Sequence, residues 1–175
     1  SSPIGANEEI VRVIPVIDSI KRNFPDILIS IDTYKSKVAS EAINFGADIV
    51  NDITGLQGCD KMPQLISKTK VPIIIMHMRG NPKNMQKNTK YADLILEILN
   101  FFKNQINLAK SFGIKDDKII VDPGIGFGKS VDQNFIILKN INKFCSLGYP
   151  VLVGTSRKSF LTKTLKTNTG DVIEG

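Results

Sequence analysis

The sequence predicts an α/β protein with a parallel sheet, and three observations support this prediction. Five short aliphatic runs lie along the 175 residues, and segments with helical periodicity separate them. Most of these runs are apolar throughout, as in strands that helices cover on both faces. Polar residues follow each run, where the carboxyl end of a strand would lie. This pattern is typical of a doubly wound sheet or of a (β/α)8 barrel.

The first strand and its flanking helices follow from periodicity. Residues 7–24 place apolar side chains on one face of a helix, in which Pro15 should introduce a kink. The aliphatic run at residues 27–31 predicts the first strand. A second helix should span residues 35–45, because Gly46 follows as a helix stop.

The middle of the chain continues the alternation. Residues 48–50 and 71–76 predict strands on either side of a short helix at residues 62–68. The longest apolar stripe with a 3.6-residue period predicts a helix over residues 91–112. The aliphatic run at residues 118–121 then predicts the fourth strand.

The last part of the chain supplies one more unit. A helix is predicted over residues 133–147, a strand over residues 149–153, and a further helix from near Ser159. A complete (β/α)8 barrel takes about 250 residues. Because the chain also opens and closes abruptly, we expect residues 1–175 to be a partial barrel domain, truncated at both ends.

Composition narrows the possible functions. The net charge is +6, but the lysines are scattered and no aromatic residues interleave with them, which argues against nucleic-acid binding. No apolar stretch reaches the roughly 18 residues of a membrane span. Cys59 and Cys145 have no metal-ligand spacing, so we expect reduced thiols in a cytoplasmic protein. His77 is the only histidine, which argues against zinc binding and Ser-His-Asp catalysis.

The segment from Asp122 to Lys129, DPGIGFGK, is the strongest indication of a binding site. Asp122 ends a predicted strand, where a buried carboxylate is costly without a partner. Pro123 stops strand pairing, and the three glycines let the backbone turn sharply and approach a ligand closely. The alternative interpretation is a flexible turn with a solvated aspartate.

Polar residues at the other strand ends should face the same edge of the sheet. A carboxylate pairs best with two parallel N–H donors, which the edge of an aminopyrimidine ring offers, and a side-chain amide can both donate and accept. The set therefore predicts a flat polar heterocycle with an anionic tail, and it leaves pterin and guanine open. The strand-end residues are Asp32, Asn51, Asp52, His77, Asp122 and the segment from Gly154 to Lys158.

Many of these residues also have structural interpretations. Asp32 and Asp52 could be helix N-caps, since aspartate is a favoured capping residue. Asn51 could be a turn residue, His77 a core histidine and Phe127 a core residue. We expect Phe127 to be a pocket wall and Arg157 a salt-bridge partner. Lys35 and Lys129 are expected to be solvated.

Four segments closely resemble the dihydropteroate synthase family, and they occur in the order and spacing of that family. They are residues 30–55 (SIDTYKSKVASEAINFGADIVNDITG), 72–86 (PIIIMHMRGNPKNMQ), 119–134 (IIVDPGIGFGKSVDQN) and 147–161 (LGYPVLVGTSRKSFL). The resemblance implies a (β/α)8 barrel, of which this chain holds about strands three to seven.

The resemblance also implies an activity in folate biosynthesis. The enzyme would condense (7,8-dihydropterin-6-yl)methyl diphosphate with p-aminobenzoate to give 7,8-dihydropteroate and diphosphate, with Mg²⁺ as the cofactor. It would be a target of sulfonamides, and the complete protein would be a homodimer.

Site residues are implied in the same way. Those implied to be catalytic are Asp32, Asp122 and Lys158. Those implied to bind the pterin are Asp32, Asn51, Met76, Asp122, Gly154 and Lys158. Those implied to lie on the p-aminobenzoate and diphosphate side are Ser2, Phe127 and Ser159.

The chain departs from the family pattern near its ends. Residues 1–5 read SSPIG and lack the arginine of the family's Ser-Thr-Arg-Pro-Gly loop. The family's magnesium ligand is expected before Ser1, so no metal ligand is expected in this chain, and the fragment alone is expected to be inactive. Two alternatives are a pterin-binding methyltransferase, which passes a methyl group from methyltetrahydrofolate to a corrinoid protein, and a non-catalytic fragment. The SRKS and DPGIGFGK motifs argue against the methyltransferase.

Overall fold

A computed structural model describes residues 4–80 and 89–165 of the chain. In these residues, four parallel strands form one sheet in sequential order. Val151 extends the sheet by a parallel bridge to Val121. The strands are β1 (Ser30–Asp32), β2 (Ile49–Asp52), β3 (Ile73–Met76) and β4 (Ile119–Asp122).

The sequential order decides between the two α/β architectures. A doubly wound sheet reverses its strand order at a switch point, whereas a (β/α)8 barrel adds each strand beside the preceding one. The described strands and the bridge at Val151 occupy five consecutive positions without a reversal. The predicted α/β class is confirmed, and the arrangement is that of consecutive units of a (β/α)8 barrel.

Helices connect the strands as the apolar periodicity predicted. The first continues through Pro15 as one helix of 18 residues. The helices are α1 (Ala6–Asn23), α2 (Ser36–Asn44), α3 (Met62–Thr69), α4 (Leu94–Ser111), α5 (Val131–Lys139), α6 (Ile141–Cys145) and α7 (Ser159–Leu165).

Two predicted helices differ from the structure by more than one residue at an end. The helix predicted over residues 91–112 begins at Leu94, because the Asp93 side chain accepts a hydrogen bond from the backbone N–H of Leu96 and caps the helix there. The helix predicted over residues 133–147 is divided into α5 and α6 at Asn140. The Asn140 side chain donates to the carbonyl of Ile136, which is how asparagine competes with helical backbone bonding.

Three predicted strands are shorter than expected, among them β3, which begins at Ile73 instead of residue 71. Strand β1 begins at Ser30, because the Asp48 carboxylate takes the N–H of Ile29 that a longer ladder would have used. Leu28, which precedes Ile29, is 72% exposed. The strand predicted over residues 149–153 is limited to the bridge at Val151, and its neighbour Pro150 has no N–H with which to extend the pairing.

The core lies between the sheet and the helices. All four residues of β3 are buried, which explains why its aliphatic run shows no polar alternation. Phe102 of α4 and Phe144 of α6 meet edge to face against this core, with ring centroids 6.2 Å apart. The carboxyl ends of the strands therefore rest on a closely packed base.

The described residues also bear on membrane insertion and on disulfide bonding. No helix among them has the length and apolar character needed to cross a bilayer. Cys59 is half-buried and Cys145 is exposed, and neither forms a disulfide.

Candidate active site

The sheet register brings the predicted residues to one edge. Asp32 pairs with Asn51 across β1 and β2, and Met76 pairs with Asp122 across β3 and β4. Each of these residues lies at or next to the carboxyl end of its strand. The expectation that the strand ends converge is therefore confirmed for the four described strands.

The glycine loop, residues 122–129, packs tightly against the end of β3. The backbone N–H of Gly124 donates to Asp122 Oδ1 at 2.7 Å, and the N–H of His77 donates to the Asp122 carbonyl at 2.9 Å. Gly124 has a φ of +69°, and a Cβ there would lie 2.0 Å from the His77 carbonyl oxygen. Only glycine allows this approach, so the motif positions the Asp122 carboxylate by a close backbone contact.

Asp122 and its neighbours set the charge of this edge. Burial raises the pKa of Asp122, while the Gly124 N–H and the ammonium groups of Lys158 and Lys129 lower it. Asp122 is 8% exposed, and the adjacent backbone uses only one of the hydrogen-bond acceptor positions of its carboxylate. Capacity therefore remains for a ligand that presents N–H donors.

Asn51 has a buried acceptor without a partner. Its Oδ1 is inaccessible to solvent and receives no hydrogen bond from the described residues. A buried polar atom left in this state costs free energy, typically about 1–3 kcal/mol. Since Asn51 neighbours Asp32 in the sheet, this oxygen lies at the edge where the predicted site residues meet.

Asp32 and Asp52 differ in role although their strands are adjacent. Burial raises the pKa of Asp32, and the negative charges of Asp52 and Glu9 raise it further. Asp52 accepts hydrogen bonds from the N–H and hydroxyl of Thr54 and from the N–H of Leu56, so it stabilises the turn after β2. Neither aspartate is a helix N-cap, because α2 and α3 begin after Lys35 and Lys61. That structural interpretation was wrong for both residues.

His77 is a buried, neutral histidine, as its structural interpretation predicted. Its Nδ1 lies 3.1 Å from Lys129 Nζ, and its ring meets the Phe101 ring edge to face at 4.9 Å. Burial lowers the pKa of His77 to about 3, and the positive charges of Lys129 and Arg79 contribute.

Lys129 was predicted to be solvated, and that prediction was wrong. Its side chain is 2% exposed, and its Nζ donates to the carbonyls of Gly124 and Phe127 at 2.9 and 2.8 Å. Burial lowers its pKa to about 7. No residue type in the sequence indicated this burial, because the carbonyls that accept from Lys129 are backbone groups.

Lys35 is also not solvated. It forms an ion pair with Glu9 in which both side chains are mostly shielded from water. Glu9 in turn accepts a hydrogen bond of 2.6 Å from the Thr33 hydroxyl. This contact ties α1 to the turn after β1.

Lys158 and Phe127 lie together on the other side of the glycine loop. Lys158 Nζ donates to the Ile125 carbonyl at 2.7 Å and lies 4.4 Å from the centroid of the Phe127 ring. Burial lowers the pKa of Lys158, and the Asp122 carboxylate opposes that shift. The expectation that Phe127 forms a wall of the site agrees with its half-buried position.

The remaining predicted residues have unequal support. Met76 is 2% exposed at the end of β3, whereas Gly154 is exposed and a Cβ there would meet no atom within 4 Å. Ser159 is the exposed first residue of α7. Arg157 is exposed and belongs to none of the ion pairs found in the described part of the chain, so the expected salt bridge is not seen. Ser2 lies outside the described residues.

A second support of the loop was not predicted from the sequence. The Tyr91 hydroxyl donates to the Gly128 carbonyl at 3.0 Å, and the Arg79 guanidinium lies 4.4 Å from the centroid of the Tyr91 ring. Arg79 also forms an ion pair of 3.3 Å with Glu97 of α4. These contacts hold the glycine loop against the start of α4.

Comparison with known proteins gives one consistent family. The family model described as "pterin binding enzyme" matches residues 1–174. A dihydropteroate synthase of Clostridium beijerinckii is 46% identical over 172 residues, which are 98% of this chain and 61% of that protein. The chain thus spans about three fifths of the length of this curated relative.

Solved structures agree with the sequence comparison. Dihydropteroate synthase of Clostridium difficile, determined in the presence of pteroic acid, superposes with a TM-score of 0.91 and is 43% identical. The match covers 100% of this chain and 64% of that one. A Xanthomonas albilineans dihydropteroate synthase with 4-aminobenzoic acid gives a TM-score of 0.88 at 32% identity, over 96% of this chain and 60% of that one.

Proposed function

Since the chain belongs to the pterin binding enzyme family, we propose that the full-length protein is a dihydropteroate synthase. It would join (7,8-dihydropterin-6-yl)methyl diphosphate to p-aminobenzoate and release diphosphate, in folate biosynthesis. The relatives that bear this name, and the pteroic acid and 4-aminobenzoic acid in their structures, support the proposal.

The unpaired Oδ1 of Asn51 supports pterin binding most directly. It lies in the same edge as the Asp122 carboxylate, which has free acceptor positions. A pterin presents a ring N–H and an exocyclic amine in parallel, and a carboxylate accepts such a pair with two hydrogen bonds. Asn51 then receives a third donor of the ring system, which removes the free-energy cost of its buried oxygen. Met76 and Gly154 line the slot for the ring.

The second substrate would lie on the other side of the glycine loop. The Phe127 ring offers a flat face for p-aminobenzoate, and the Lys158 ammonium beside it attracts an anionic group. The Ser159 hydroxyl would donate to the p-aminobenzoate carboxylate, and Ser2 would contact the diphosphate side. Sulfonamides would compete for this same place.

The reaction needs no covalent enzyme intermediate. Diphosphate leaves with the electron pair of the C–O bond, and the positive charge on the methylene spreads into the pterin ring. Asp32 and Asp122 supply negative potential beside that ring in a preorganised site. The aniline nitrogen then attacks the methylene, forms the C–N bond and loses one proton to solvent.

Mg²⁺ belongs to the proposal only as a cofactor of the full-length protein. Within residues 4–80 and 89–165, no group of three or more His, Cys, Asp or Glu side chains could hold a metal ion. No step above depends on the metal. A homodimer and a cytoplasmic location complete the proposal, and the two unbonded cysteines are consistent with a reducing compartment.

Calorimetric titration of the full-length protein with the pterin diphosphate tests the proposal. Asp122→Asn should weaken binding about 10- to 100-fold, because hydrogen bonds to a charged group contribute about 1.5–3 kcal/mol. Asp132→Asn is the matched control, since Asp132 is exposed in the first turn of α5. Equal affinity for Asp122→Asn and the wild type would overturn the assignment of the pterin site. Failure to form dihydropteroate from p-aminobenzoate would exclude the synthase and leave the methyltransferase.

A further inference from the structure

Lys129 occupies an unusual environment for a lysine. It is 2% exposed, and the ion pairs in the described part of the chain do not include it. Four acceptors surround its Nζ, which has three protons to donate. Lysine is almost never fully buried without a carboxylate partner, because removing its charge from water is costly. A residue retained at such a cost requires a reason beyond filling space.

The four acceptors belong to two different parts of the fold. Two are the carbonyls of Gly124 and Phe127, which lie in the glycine loop, at 2.9 and 2.8 Å. The other two are Nδ1 and the carbonyl of His77, at the end of β3, at 3.1 and 3.2 Å. The ammonium of Lys129 therefore fastens the glycine loop to the neighbouring strand.

The same contacts lead directly to the residues proposed to bind substrate. Gly124, whose carbonyl Lys129 holds, donates its N–H to the Asp122 carboxylate. Phe127, whose carbonyl Lys129 also holds, has its ring beside Lys158. Lys129 thus contacts the backbone of the loop beside the residues proposed to bind each substrate.

We propose that Lys129 is a positioning residue for the site, which fixes the Asp122 carboxylate toward the pterin by holding the glycine loop on the end of β3. This inference rests on the proposed function. A methionine of similar volume could fill the space, but it would leave the loop carbonyls and His77 Nδ1 without donors. The loop would then move away from the end of β3, and the Asp122 carboxylate would lose the Gly124 N–H that orients it.

Lys129 also affects the Asp122 carboxylate through its positive charge. Two charged groups act on the Asp122 carboxylate, Lys158 before α7 and Lys129 in the loop. The neighbouring His77 is neutral, so the two lysines are the cations that oppose the burial-driven rise in the pKa of Asp122. Loss of Lys129 should raise the pKa of Asp122. As the pH is lowered, Asp122 would then become protonated, and pterin binding would be lost, at a higher pH than in the wild type.

The test is pterin diphosphate affinity of the full-length protein between about pH 5 and 8. Lys129→Met should weaken binding about 10- to 100-fold at neutral pH, since misplacing a site by about 1 Å has effects of this size. The acid limb of the affinity curve, the pH range in which binding is lost on acidification, should move to higher pH in this variant. A purely structural role of Lys129 would not cause that shift. Lys139→Met, at an exposed lysine of α5, should match the wild type.

A second variant covers the possibility that Lys129→Met does not fold. Lys129→Gln keeps an amide donor but removes the charge, so its acid limb should shift while its neutral-pH affinity falls less. If the wild type binds pterin diphosphate and a folded Lys129 variant matches it at every pH, the positioning role is refuted. If the wild type itself does not bind, the proposed function fails, and this inference fails with it.

Discussion

Gly124 and Gly148 make a matched pair for testing how tightly the glycine loop packs on β3. Both have positive φ angles, +69° and +83°, so alanine is strained at either position. The left-handed conformation costs alanine about 1–2 kcal/mol, and reduced freedom of the unfolded chain returns about 0.4–1 kcal/mol. A Cβ at Gly148 meets no atom within 4 Å, so Gly148→Ala should lower the free energy of unfolding by about 1 kcal/mol.

At Gly124 the added Cβ would lie 2.0 Å from the carbonyl oxygen of His77, which is backbone and cannot rotate away. Relief requires the loop and the strand end to separate by about 1 Å, since contacts below 3.0 Å are essentially never seen. That movement breaks the two hydrogen bonds that join Lys129 Nζ, in the loop, to Nδ1 and the carbonyl of His77. Two hydrogen bonds to charged groups contribute about 3–6 kcal/mol together.

Urea denaturation followed by circular dichroism measures both variants against the wild type. We expect Gly124→Ala to lose about 3–6 kcal/mol more than Gly148→Ala, a value large enough to indicate a specific structural cause. Equal m-values would show that the comparison concerns stability alone. A difference below about 1 kcal/mol would refute the reasoning, because the loop could then leave β3 at little cost.

Three further predictions concern stability. Ser130→Ala should remove the capping box that Ser130 forms with Gln133 and lower the free energy of unfolding by about 1 kcal/mol in urea melts, and no change would contradict the cap. Asp52→Ala should lower the free energy of unfolding by about 2–4 kcal/mol, because it leaves the backbone N–H groups of Thr54 and Leu56 unpaired. A loss below about 0.5 kcal/mol would show that water bonds these N–H groups in place of the carboxylate. Burial lowers the pKa of Lys129 to about 7, whereas the unfolded chain keeps that proton until about pH 10.5. From about pH 7 to 10 the unfolded state therefore binds more protons than the folded state. The free energy of unfolding of the wild type should rise by up to about 1.4 kcal/mol per pH unit relative to that of Lys129→Met. Parallel curves of unfolding free energy against pH would contradict the burial of the charge.

The order of elements could be predicted from sequence because burial on both faces makes parallel strands aliphatic throughout. The run at β3 shows this clearly, since all four of its residues are buried. The start of β1 could not be predicted in the same way. Ile27 and Leu28 are as aliphatic as the strand itself, but the Asp48 carboxylate caps the ladder at Ile29 and leaves them exposed. A contact between residues 19 positions apart decided that boundary.

The sequence allowed us to predict that polar residues at the strand ends lie together. Asp32, Asn51 and Asp122 reach one edge because parallel strands place their carboxyl ends together. The environment of Lys129 was not predictable, because lysine is normally solvated and its acceptors are backbone carbonyls. Any residue has a carbonyl, so the sequence contains no record of where several of them converge.

The shared ammonium of Lys129 has a consequence for how this loop can change over evolution. One cation holds the carbonyls of Gly124 and Phe127, and its other acceptors are the carbonyl and Nδ1 of His77. Substitution of Lys129 would remove the donor from all four acceptors, whereas substitution of His77 would leave Lys129 three backbone carbonyls for its three protons. We therefore expect descendants of this sequence to tolerate a change at residue 77 more readily than a change at residue 129.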